Sequence, residues 1–244
     1  MSSEHGNDRA RFTTTHWSMV LAAQGDSTPT AAEALSQLCE RYWYPLYAYL
    51  RRTGYRAEEA QDLTQGFFTH IFEKHAIRHA DPHRGRFRSF LLTSLKNFIA
   101  SEWDRTRAQK RGGRVPHISL EWETAEGRYQ LEPRDDATPQ KVFDRRWALT
   151  LLECVLGRLT TEFTSAGKGH QFEHLKVYLT GEEPQRSYAE TGATLDMSAD
   201  AVKVAVHRLR RRFRTHLREE IAQTVASVEE VDDEIRHLWA AVGR

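Results

Sequence analysis

The stretch SYAETGATLDMSADAVKVAVHRLRRRFR, residues 187–214, constrains the fold more than any other part of the chain. A short helical segment ends at Leu195, and Asp196-Met197-Ser198 reads as a turn. Ser198 is placed as N-cap of the next helix, its hydroxyl accepting from a free backbone N–H. Val202, Ala205, Val206, Leu209 and Phe213 then recur at helical spacing as one apolar stripe. Two helices joined by a turn of three or four residues, the second basic on its outer face, match helix-turn-helix geometry. Such a helix fits the major groove of DNA. Ala199, Asp200, Lys203, Val204 and His207 sit near its N-terminal end and are candidates for the base edges, with Ser198 counted beside them among the DNA-binding residues. Arg208, Arg210, Arg211, Arg212 and Arg214 come later and suit phosphates. Two positions are irregular. Asp196 stands in the turn where glycine is usual, and aspartate visits the left-handed conformation less readily. Gly192 stands where alanine is expected, at a cost of about 1 kcal/mol in helix propensity. An amphipathic basic helix that binds a partner protein is the alternative to DNA.

Helical spacing recurs elsewhere. Leu35, Leu38, Cys39, Tyr42, Trp43, Leu46, Tyr47 and Leu50 form one stripe, interrupted by Pro45 and ended by Gly54. A second helix opens near Ala57 and carries Leu63, Phe67, Phe68, Ile71 and Phe72. A third runs from about Phe87 to Gln109, with Phe90, Leu91, Leu95, Phe98, Ile99 and Trp103 on its apolar face. Residues 112–139 bring glycine, proline and acidic residues together and read as a linker, with short extended pieces at His117–Leu120 and Arg128–Leu131. Helices resume at about Lys141–Ala166, Gln171–Leu179 and 187 onward, and a last one spans about Val228–Ala241. Ahead of all these, residues 1–15 read as a flexible tail and Trp17–Ala23 as a first helix. The expected fold is all-α: two helical domains joined by a linker.

Net charge is only +1 over 244 residues, but it is unevenly placed. Residues 84–114 hold nine basic side chains against Glu102 and Asp104, a net +7. Residues 199–218 hold seven against Asp200, a net +6, which leaves −12 on the remainder. Two basic islands in an acidic body point to two anionic contacts, and nucleic acid is the usual anionic partner. Solvated helix faces are the bland alternative. No apolar run approaches the roughly 18 residues that span a membrane, and the N-terminus has no apolar signal core. The chain therefore reads as cytoplasmic, with no membrane insertion. Cys39 and Cys154 each lie in an apolar helical pattern and behave as small hydrophobes.

The two islands together narrow the function. AEEAQDLTQGFF, residues 57–68, followed by RGRFRSFLLTSLKNFIASEWDRTRAQKR, residues 84–111, resembles bacterial RNA polymerase sigma factors of the extracytoplasmic-function (ECF) group. FTTTHWSMVLAA and YWYPLYAYLRR add to the likeness. The resemblance implies a promoter-melting domain at 31–111, a linker at 112–140 and a helix-turn-helix domain at 141–219. Residues 1–30 and 220–244 are then extensions. It implies core RNA polymerase and promoter DNA as partners, with an anti-sigma factor or other regulator as a further candidate, and no cofactor. Asp62, Gln65, Phe67 and Phe68 occupy the positions that dock on the polymerase clamp. An exposed carboxylate beside exposed aromatics makes an anchor patch; the alternative places Phe67 and Phe68 in the core. The family usually has an acidic residue at Gly66. The third helix corresponds to the family's minus-ten element, with Lys96, Asn97, Ser101, Trp103, Arg105, Arg107, Lys110 and Arg111 as strand contacts. Aromatics stack on bases and cations hold the backbone, though Trp103 equally suits the core. The loop at Arg84–Arg88 is placed to shape a pocket for a flipped base. The C-terminal helix of the second domain would read the minus-thirty-five duplex.

An enzyme is not expected. Neither a glycine-rich phosphate loop nor a GxSxG elbow is present. His70, His75, His79 and His83 fall at spacings of four or five, but Pro82 breaks the helix before His83, and surface histidines are favoured over a metal site. A repressor or activator that does not join polymerase would explain the C-terminal island but not residues 57–111. The segment after Arg218, with Val231, Ile235, Leu238 and Trp239 at helical spacing, either folds back on the basic helix or packs as a terminal helix. Packing is favoured.

Overall fold

A computed structural model describes residues 29–73, 77, 80–81, 85–108, 122–133, 136–179, 186–222, 224–225 and 227–243. The tail at 1–15, the helix expected at Trp17–Ala23 and the extended piece at His117–Leu120 lie outside them. The described residues are all-α, with no strand among them. The helices are α1 (Pro29–Thr53), α2 (Ala57–Glu73), α3 (Phe87–Ala108), α4 (Trp122–Gln130), α5 (Pro139–Ser165), α6 (Gly169–Leu175), α7 (Tyr188–Leu195), α8 (Ala199–Ala222) and α9 (Glu230–Ala241), with a 3-10 turn at Lys176–Leu179 after α6. The chain forms two compact units. Residues 1–148 and 221–244 make the first, and residues 149–220 the second.

In the first unit α1 is the central helix. Leu38, Cys39, Tyr42, Trp43, Leu46, Tyr47 and Leu50 are buried, and so are Tyr44 and Ala48. From Tyr42 to Ala48 every residue is buried, as in a helix segment enclosed by its bundle. Pro45 is contained within α1, which continues to Thr53. Gly54, at φ 111°, then ends it in a left-handed conformation that suits glycine. Burial pushes the Cys39 thiol up to about 12, with Glu40 adding to it, so the thiolate is absent and the side chain acts as an apolar filler. Against α1 pack the faces of α2 and α3, through Phe67, Phe68 and Ile71 on one and Phe87, Leu91, Leu92, Leu95 and Phe98 on the other. Phe90 and Ile99, expected on the same face of α3, are half-buried.

Helix α4 replaces the extended piece expected at Arg128–Leu131. Its cause is tertiary. Tyr47 Oη donates to Glu126 Oε2 at 2.6 Å, and Arg51 donates through Nε and Nη2 to the same carboxylate at 3.0 and 2.8 Å. Arg51 also lies 4.9 Å from the Tyr129 ring centroid, and Arg128 lies 5.5 Å from that of Tyr44. These contacts fix one turn after another of a segment whose own composition favours loop. Burial works against the Glu126 charge, but the hydrogen bonds from Arg51 and Tyr47 outweigh it and hold the carboxyl below its ordinary value. A depressed folded-state pKa stabilises above the unfolded pKa, and that stability is lost as pH falls through the folded value. The gap in melting temperature between wild type and Glu126→Gln is therefore widest at neutral pH and closes in acid. A gap independent of pH would refute this linkage.

Helix α9 packs within the first unit through Val231, Glu234 and Leu238, all buried, with Ile235 and Trp239 half-buried. Glu234 is fully buried and carries two arginines from the start of α3. Arg88 Nε donates to its Oε1 at 2.8 Å, and Arg86 Nε lies 2.9 Å from its Oε2. Arg88 also donates through Nη1 to Asp144 Oδ1 at 2.6 Å and stacks 4.9 Å from the Trp147 ring centroid. A buried guanidinium is tolerated only when such partners satisfy it.

Candidate nucleic-acid interface

The second unit builds two helices and the turn between them from local signals. Ser187 caps α7 with a capping box. Its Oγ accepts from Glu190 N at 3.2 Å, while Ser187 N donates to Glu190 Oε2 at 2.7 Å. The Ser187 backbone hydrogen bond, with the hydroxyl's, holds the Glu190 carboxyl below its ordinary value. α7 ends at Leu195, and Asp196 adopts φ 52°, ψ 47°, so the aspartate takes the left-handed conformation where glycine is usual. The turn folds back tightly, with Met197 N donating to Gly192 O at 2.9 Å. Ser198 Oγ accepts from Ala201 N at 3.2 Å, so it caps α8 as expected.

Gly192 corrects the expectation that alanine would serve better. A Cβ at this buried position would stand 2.4 Å from Met197 O. The turn crosses the helix at that point, so glycine is the residue the contact needs.

Along α8, Val202, Val206, Leu209, Phe213 and Leu217 are buried, and Ser198, Ala199, Asp200, Lys203, Val204, His207, Arg208, Arg210, Arg211, Arg212 and Arg214 are exposed. The arginines divide by what they touch. Arg210 donates through Nε and Nη2 to Tyr178 O at 3.1 and 3.0 Å. The Tyr178 hydroxyl in turn lies 2.7 Å from Thr191 Oγ1, which ties α8 to α7 through the 3-10 turn. Arg212 Nε lies 3.4 Å from Glu162 Oε2, with its guanidinium 5.8 Å from the Phe163 ring centroid. Both therefore have partners in the fold as well as solvent access. Glu162 also meets the buried His216 at 2.8 Å, and Glu219 meets Arg158 at 2.8 Å. None of Tyr178, Glu162 or His216 was marked by the sequence, because the contacts that join them to other elements form only on folding.

The other candidate residues lie in the first unit. Of the four expected at a polymerase anchor, only Asp62 is exposed. Gln65, Phe67 and Phe68 are buried at 5%, 0% and 2% exposure, so the expected aromatic patch is core. Phe67 and Phe68 pack on each other, and Phe67 packs on α3, its ring centroid 5.9 Å from that of Phe98. Gly66 fits the same packing, since a Cβ there would stand 3.3 Å from Phe98 Cζ. On α3, Lys96, Asn97 and Ser101 are exposed. Lys96 Nζ lies 5.9 Å from the Tyr49 ring centroid, and Ser101 Oγ donates to Asn97 O at 3.0 Å. The side chains of Trp103, Arg105 and Arg107, together with Arg84, Lys110 and Arg111, lie outside the described residues. Arg88 is corrected: it is buried against Glu234 and Asp144 and does not line an open pocket. His70 packs 5.3 Å from the Phe98 centroid, and His75, His79 and His83 lie outside the described residues. No described helix is long and apolar enough to cross a membrane.

No protein-family model and no solved structure matches the chain. The chain is similar to the ECF RNA polymerase sigma factor SigE of Mycolicibacterium smegmatis, with 25% identity over 210 residues that cover 85% of this chain and 70% of that protein.

Proposed function

We propose that this chain is an RNA polymerase sigma factor that directs core polymerase to promoters and starts transcription. The observation that carries this reading is α8: a capped helix behind a locked turn, with a buried apolar stripe and an exposed basic face. It reads the minus-thirty-five duplex, with Asp200, Lys203, Val204 and His207 toward base edges and Arg208 and Arg211 on phosphates. The similarity to a sigma factor spans both units and supports a joint role for them. In the first unit α3 holds the unpaired minus-ten strand through Lys96, Asn97 and the basic residues that follow, and Asp62 contributes to polymerase docking. The protein works in the cytoplasm, where polymerase and promoters meet.

A duplex-binding regulator that never joins polymerase is the second reading. It is favoured by the burial of Gln65, Phe67 and Phe68, which reduces the anchor to Asp62. The two readings part in one experiment. The purified protein is mixed with core polymerase lacking any sigma factor, and open complexes are scored on a pool of promoter DNA. Specific melting and transcription are expected. Duplex binding without polymerase association would replace the sigma reading by the regulator.

A further inference from the structure

The outward face of α8 carries one residue that its charge does not explain. Val204 is two residues from the fully buried Val202, hence about 200° around the helix axis, diametrically away from the core. It is 49% exposed, the one large apolar side chain that α8 presents to solvent among the described residues. Around it stand Asp200 one turn before, His207 and Arg208 one turn after, and Arg211 two turns after, all exposed. Val204 therefore adds nothing to the core of this unit, and a β-branched residue is a poorer helix former than alanine. Its neighbours favour an anionic partner, since Lys203, Arg208 and Arg211 are exposed and Asp200 is the one acidic residue between Ala199 and Arg218. The major groove of DNA combines such charge at its rims with one apolar group on its floor, the 5-methyl of thymine.

Resting on the helix-turn-helix reading above, we infer that Val204 is a specificity residue that packs against the 5-methyl group of a thymine in the bound duplex. The flanking cations fix the register of α8 on the phosphates, and Val204 selects a thymine at one position. Asp200, one turn earlier, accepts from an exocyclic amino group of a neighbouring cytosine or adenine and disfavours a phosphate there.

The test uses the full chain with core polymerase and duplexes from its own selected promoter pool. Each thymine of the minus-thirty-five segment is replaced in turn by deoxyuridine, which removes only the methyl. One position is expected to weaken binding by about fourfold, the worth of one buried methyl. In Val204→Ala that sensitivity disappears while all other positions and the salt slope stay unchanged, because no charge is altered. Circular dichroism that matches the wild type verifies that Val204→Ala is folded. Sensitivity that persists in Val204→Ala, or no thymine whose methyl matters, overturns the assignment while leaving the sigma reading intact. Absence of any sequence-selective duplex binding overturns both.

Discussion

Glu234→Ala lowers the unfolding free energy by about 3–5 kcal/mol, the cost of leaving a buried charge without its partner. Arg88 is almost fully buried and reaches Glu234 through both Nε and Nη2, at 2.8 and 3.3 Å. With the carboxylate gone, the guanidinium keeps Asp144 and the Trp147 ring as partners. Water does not reach it easily, because Glu234 itself is fully buried. Urea denaturation measures the effect, and a loss below about 1 kcal/mol would show that the pair is peripheral. The double variant Arg88→Met/Glu234→Ala is expected to be less damaged than the sum of its parts, since removing both charges removes the stranded one. The effect has a functional side. Arg88 lies in the first turn of α3, the helix proposed to hold the minus-ten strand. Hydrogen exchange in that turn is expected to rise in Glu234→Ala, while duplex binding by the second unit is retained.

Gly192→Ala decides between two opposite signs. Helix propensity alone expects a gain of about 1 kcal/mol from replacing a mid-helix glycine. The structure expects a loss of about 3 kcal/mol, the upper end of the range for overpacking. The reason is the identity of the clashing atom. Met197 O belongs to the backbone of the turn, 2.4 Å from the new Cβ, and cannot rotate away as a side-chain tip would. Either α7 shifts or the left-handed turn at Asp196 opens. In both cases α8 leaves its angle to α7, so selective duplex binding is expected to fall while association with core polymerase persists. Thermal unfolding reads the sign, and a stabilised Gly192→Ala would mean that the turn sits farther from α7 than described.

Local signals and tertiary ones separate cleanly along this chain. The two helices and their turn were legible at residue level, from the cap at Ser198 to the stripe from Val202 to Phe213. Each of these depends on neighbours within a few residues, where 3.6-residue periodicity and capping chemistry act. The bounds of α2 and α3 and the helix ahead of the terminus were legible for the same reason. Helix α4 was not, because residues 122–130 look like loop until Tyr47 and Arg51, some 75 residues away, supply partners for Glu126. The docking of α9 through Glu234 was equally hidden, with 146 residues between the members of its ion pair. Phe67 and Phe68 had an apolar pattern that suited core or patch alike, and only tertiary packing placed both inside, Phe67 against Phe98. The sequence by itself thus determined the helices other than α4, the turn and the two charged islands. The tertiary structure alone decided which of those charges face outward, since a charge becomes structural only when folding brings it a buried partner.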